Sequence, residues 1–201
     1  MTARDDILSA IRARGAKTSP RPASYRATPP ADLLAAFVER ARFANAEVRV
    51  VESDADVPAA VAELLRARNL PALVHLPPGS DSVAFAWHSA PGLSLASSPP
   101  GPDDAALAIA PLAIAETGTL AYPAANDAPA SWHFRAGFEI AVVRAADIVA
   151  DIESAIGRLK RSGALPSTVN FVTGPSRTGD IEQTLELGAH GPKALAILVV
   201  K

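Results

Sequence analysis

Residues 47–76 read EVRVVESDADVPAAVAELLRARNLPALVHL, and their rhythm sets the fold. EVRVV is short, rich in Val and bounded by polar residues, which suits a strand. From Val57 to Arg68 the apolar residues Val61, Leu64 and Leu65 recur at helical spacing, giving one inward face. Pro71 then leads into ALVHL, a second strand. Strand, helix and strand joined in this way favour parallel pairing, because a crossover helix must return the chain to the same end of the sheet.

Working outward, the same alternation continues. Leu33, Leu34, Phe37, Val38 and Ala41 mark a helix before the first strand. Downstream, residues 77–103 are rich in Pro, Gly and Ser, with a weak strand near Leu93–Leu95. LAIAPLAIA, residues 107–115, is an apolar run that Pro111 divides in two. Gly118–Tyr122, Phe138–Val143, Thr168–Val172 and Ala194–Val200 read as further strands of the sheet, and Asp147–Arg161 as a helix. The expected class is α/β, a mostly parallel sheet flanked by helices. Residues 1–30 form an arm: a helix over Arg4–Arg14, then the Pro-rich linker GAKTSPRPASYRATPP. Residues 31–201 form the α/β domain. An arm of this kind packs on the body or on another subunit, so an oligomer is open.

Of the 201 residues, 49% are hydrophobic and 20% charged, which suits a packed core, and the net charge is −2. A nucleic-acid binder would carry a basic stripe, so that class is set aside. The absence of cysteine excludes disulfides, thiol nucleophiles and iron–sulfur or zinc–thiolate sites within this chain. MTARDDILSA lacks the apolar core of a secretory signal, and no apolar run is long enough to span a bilayer. A cytoplasmic protein is expected.

Two stretches concentrate chemistry. In AIAETGTL, residues 113–120, Glu116 follows an apolar run and precedes a Thr-Gly-Thr turn. At the carboxyl end of a strand, burial would raise the pKa of Glu116 and suit it to acid–base or nucleophilic work. The alternative is a carboxylate that caps the turn. In FVTGPSRTGDIEQTLELGAHGP, residues 171–192, Gly174 and Pro175 make a turn. Ser176 or Thr178 would cap a helix starting near Asp180, leaving amides for an anion, and Arg177 adds a donor fork. The alternative is a capped turn in which Arg177 pairs with Asp180 or Glu182. His75, His88, His133 and His190 lack metal-ligand spacing. His190 is the one placed to face a site, whereas His75 reads as a core residue within ALVHL. No metal and no cofactor are expected.

Taken together, DDILSAIRARG, the Pro-rich linker, IAETGTL and TGPSRTGDIEQTLELGAHGP resemble the LUD-domain family, in its lactate utilization protein C type. The resemblance implies a fold like the NagB/RpiA/CoA transferase-like group, with a ligand cleft. It also implies a part in oxidising L-lactate to pyruvate, beside iron–sulfur partner proteins. By motif it carries over Glu116, Thr117, Gly118, Thr119, Gly174, Pro175, Ser176, Arg177, Thr178, Asp180, Ile181, Glu182, His190, Gly191 and Pro192. Two departures stand out. Relatives usually place Pro and His just before the strand that begins here at Phe138, whereas this chain reads HFRAGFEIAVV with Glu139 near that His position. The AYPAANDAPASWHF stretch beside it is also atypical.

The leading expectation is a cysteine-free subunit or ligand-binding component of the lactate system, with an anionic small molecule held between Glu116 and the Gly174–Asp180 turn across one cleft. Another reading is a stand-alone enzyme using Glu116 on a phosphorylated or acyl-CoA-type compound. A third is a non-catalytic scaffold.

Overall fold

The structure is a computed structural model, and it describes residues 2–14, 28–79, 85–125, 129, 131–161, 163, 166–179, 185–187 and 191–201. The helices are α1 (Ala3–Ala13), α2 (Leu33–Phe43), α3 (Val57–Ala67), α4 (Ser131–Arg135) and α5 (Ile152–Arg161). The strands that build the main sheet are β1 (Glu47–Val51), β2 (Leu73–His75), β3 (Ser94–Ala96), β4 (Ala105–Ile109), β7 (Phe138–Arg144) and β12 (Ala194–Val200). They lie in the order β1-β12-β7-β4-β2-β3, and every pair is parallel.

Alternation along the central strands sends side chains to two different cores. On β7 and β12, Phe138, Ile140, Val142, Ala196, Leu198 and Val200 pack against Val61, Leu64 and Leu65 of α3. The opposite parity, Ala141, Val143, Leu195, Ile197 and Val199, meets Phe37 and Ala41 of α2. Both faces are covered, so these strands read as continuous apolar runs rather than as polar–apolar alternation.

The later strands do not all extend that sheet. β5 (Leu112–Ile114), β6 (Thr119–Pro123), β8 (Ile148–Val149) and β9 (Val169–Val172) form a separate four-stranded sheet, in the order β8-β5-β6-β9. It packs through Ala113, Leu120, Tyr122, Ile148 and Val172 into the α2 side of the large sheet. Its other face receives Ala155 and Leu159 of α5. The helix expected from Asp147 therefore begins at Ile152, where the Asp151 carboxylate accepts the Ser154 amide at 2.7 Å.

A further difference lies in the second motif. β10 (Arg177–Gly179) pairs antiparallel with β11 (Leu185–Leu187), where the cap residues had suggested a helix. Asp180, Ile181, Glu182 and His190 lie outside the described residues.

Helix starts follow their capping signals. Thr2 and Asp5 form a capping box on α1, and Asp32 accepts the Ala35 amide at 3.0 Å on α2. α1 nevertheless buries none of its residues, and Ile7 and Ile11 are 60% and 62% exposed. No described helix is long and apolar enough to cross a membrane.

Candidate functional site

The two motifs meet at the end of α2. Gly118 has φ +67°, and a Cβ there would stand 2.3 Å from the Ala41 amide nitrogen. Gly174 has φ +70°, and its Cβ would stand 2.0 Å from the Ala44 carbonyl oxygen. Both glycines thus serve a left-handed turn and a close approach to one helix terminus. A hydroxyl chain joins the motifs directly. Thr119 Oγ1 lies 2.6 Å from Thr117 Oγ1 and 2.7 Å from Thr173 Oγ1. The antiparallel pairing of β6 with β9 sets this register, since Leu120 opposes Val172.

The second motif also folds back on its own end. The Ser176 amide donates to the Pro192 carbonyl at 2.9 Å, and a Cβ on Gly191 would lie 3.2 Å from Ser176 Cβ. Ser176, Gly191 and Pro192 are therefore neighbours. Thr178 lies on β10.

Glu116 and Arg177 line different recesses. Glu116 is exposed, so the burial on which its acid–base role was argued is missing. The turn lifts its side chain off the buried run Ala113–Ala115, into a recess with Pro29, Pro30, Arg40 and Asp151. Arg177 shares its recess with Asn45, Glu47, Arg68, Pro175, Lys193 and Leu195. Two of its three cations are committed. Arg68 bridges Glu47 at 2.7 Å, and Lys193 bridges Asp103 at 3.1 Å. Burial alone would raise the Glu47 carboxyl, but its hydrogen bonds and charge contacts with Arg68 and Arg49 outweigh that and hold it below the usual range. Arg68 also lies over the Phe138 ring, 4.1 Å from its centroid. Arg177 is exposed, and no described residue pairs with it. Among the described residues its fork is open to a carboxylate or phosphate.

Sequence reasoning missed a third group. Glu139 of β7 is completely buried between the sheets, beside His133 of α4 and Tyr122 of β6. These residues lie 6 and 17 positions from Glu139 along the chain. The one available signal was a charged residue inside the apolar strand FEIAVV, in the segment that departs from the family pattern. Among the described residues, no group of three or more His, Cys, Asp or Glu is arranged to hold a metal.

Comparison with known proteins places residues 103–200 on the LUD domain model. That stretch holds both motifs, whereas DDILSAIRARG and the Pro-rich linker lie outside it. Lactate utilization protein C of Geobacillus kaustophilus is 34% identical over 98 residues, 47% of this chain and 41% of that protein. The protein of the same name from Bacillus subtilis is 32% identical over 93 residues, 44% of this chain and 39% of that one. The match thus spans about two fifths of these relatives' length. A crystal structure of a DUF162 family protein from Deinococcus radiodurans shares the fold, with TM-score 0.62 and 24% identity over 85% of this chain and 98% of that one.

Proposed function

We propose that this protein, whose residues 103–200 match the LUD domain model, is a cysteine-free, ligand-binding component of an L-lactate oxidation system. Its partners in that system are iron–sulfur proteins, which would carry the electrons that a chain without cysteine cannot pass through a cluster of its own. The relatives named lactate utilization protein C support the system.

One observation carries the site. The two motifs are knitted at the end of α2, and beside that junction Arg177 stands in a recess whose other cations are already paired. A small carboxylate such as L-lactate or pyruvate is the ligand class that suits a single guanidinium fork.

Titration of the full chain with L-lactate, pyruvate and neutral glycerol tests this reading. The carboxylates should bind and raise the melting temperature, while glycerol should not. Arg177→Ala should weaken carboxylate binding about 10- to 100-fold. Equal binding by wild type and Arg177→Ala would remove the site. A second reading keeps Glu116 as the reacting group of a stand-alone enzyme, favoured by its place beside Arg40 in the other recess. Under the first reading Glu116→Gln leaves carboxylate binding unchanged.

A further inference from the structure

The atypical segment 122–139 supplies a buried polar cluster that the anion site does not use. Glu139 Oε1 accepts the Tyr122 hydroxyl at 3.0 Å and lies 3.2 Å from His133 Nδ1. The His133 ring stacks on Tyr122 with centroids 3.8 Å apart. Burial, then the Glu139 charge and hydrogen bond, push the Tyr122 phenol well above its usual range, so it stays a donor. With Oε1 accepting from both sides, Nδ1 carries the proton and Nε2 points across the ring, away from Glu139. A carboxylate that fixes an imidazole by one nitrogen leaves the other as a base. Among the described residues, Glu139 Oε2 and Trp132 Nε1 are buried without a hydrogen-bond partner. Such unmet polar groups are rare in a purely structural core.

The cluster lies next to the anion recess. Leu195, the strand partner of Glu139 on β12, lines the recess that holds Arg177. Phe134, the residue after His133, is 41% exposed. It lies 3.9 Å from where a Gly191 Cβ would stand, beside Ser176. The His133 side chain keeps 4% of its surface exposed.

We propose that His133 is a proton-transferring catalytic residue for small 2-oxo carboxylates, with Glu139 and Tyr122 as positioning residues. This rests on the reading of Arg177 as the carboxylate anchor. In the step, His133 Nε2 takes a proton from the carbon next to the keto group. The C–H electron pair moves onto the carbonyl to give an enolate, and Glu139 meets the imidazolium charge. Return of the proton from His133 to carbon restores both partners, so no oxidant or reductant is needed.

The test follows exchange of the pyruvate methyl protons with deuterium in D2O by proton NMR, using the full chain, while pyruvate binding is titrated separately. Wild type should accelerate exchange over buffer. His133→Gln should fall to the buffer rate, and Glu139→Gln should lose about 100-fold while still binding pyruvate. Nitrogen-15 NMR of the wild-type His133 ring should show Nδ1 protonated and an Nε2 signal that moves on adding pyruvate, a readout that does not depend on any variant folding. Binding without accelerated exchange, or exchange by folded His133→Gln at the wild-type rate, overturns the acid–base role and leaves the anion site standing. Failure of wild type to bind pyruvate overturns the anchor instead.

Discussion

Tyr122 donates its hydroxyl to a carboxylate with no exposed surface, and that single bond has a pH signature. The folded phenol holds its proton more tightly than an unfolded one. Its contribution is therefore fully present below the unfolded value of about 10 and is lost as pH rises from there toward the folded value. Tyr122→Phe should cost about 1.5–3 kcal/mol at pH 7, from loss of a hydrogen bond to a charged group. It should also flatten the decline in stability above about pH 10. Urea unfolding of both proteins from pH 7 to 11 checks this, and parallel curves would contradict it. The sequence marks Glu139 as a charge inside an apolar strand but offers no link from it to Tyr122 and His133, which lie on separate elements. Only the meeting of the two sheets, with α4 packed on β4, brings them together, so no local spacing could have found the cluster. Glu116 illustrates the reverse. Its place after an apolar run suggested burial, but one residue into a turn was enough to bring it to the surface.

At the scale of elements, the unit β1–α3–β2 and the strands β7 and β12 follow from apolar spacing alone, whereas β4 read only as half of an apolar run divided by Pro111. Each of the former is long enough, or bounded clearly enough, for its period to decide. The second sheet was not legible as a second sheet. β5 has three residues and β8 has two. Pieces that short announce a strand without saying which neighbour they will pair with. β10 and β11 form a hairpin, pairing residues six to ten positions apart, and the helix start read near Asp180 lies outside the described residues. The motif glycines were legible as turns, but their contact with α2 was not, because α2 lies far away in sequence. That contact is testable. Gly118→Ala and Gly174→Ala should each destabilise the chain by about 2–4 kcal/mol, combining strain at positive φ with a clash against backbone. Denaturant unfolding that found either variant within about 0.5 kcal/mol of wild type, the usual range for surface changes, would show that the α2 contact is not a constraint.

Across the whole molecule, the two motifs mark two places on one surface of packing. They are separated by more than fifty residues, yet Thr119 and Thr173 bond directly, and both adjoining turns rest on the same helix end. The order of the motifs was readable from the sequence, and it matches the family model over residues 103–200. That Glu116 and Arg177 line different recesses was not readable, because it depends on tertiary packing. The proposed function rests on the Arg177 recess. The most direct measurement deletes the gene and follows growth and lactate oxidation on L-lactate, with complementation by wild type and by Arg177→Ala. We expect growth on L-lactate to fail in the deletion strain, while growth on a sugar stays normal. Wild type should restore it and Arg177→Ala should not. Undiminished growth and lactate oxidation in the deletion strain would contradict the assignment to lactate oxidation.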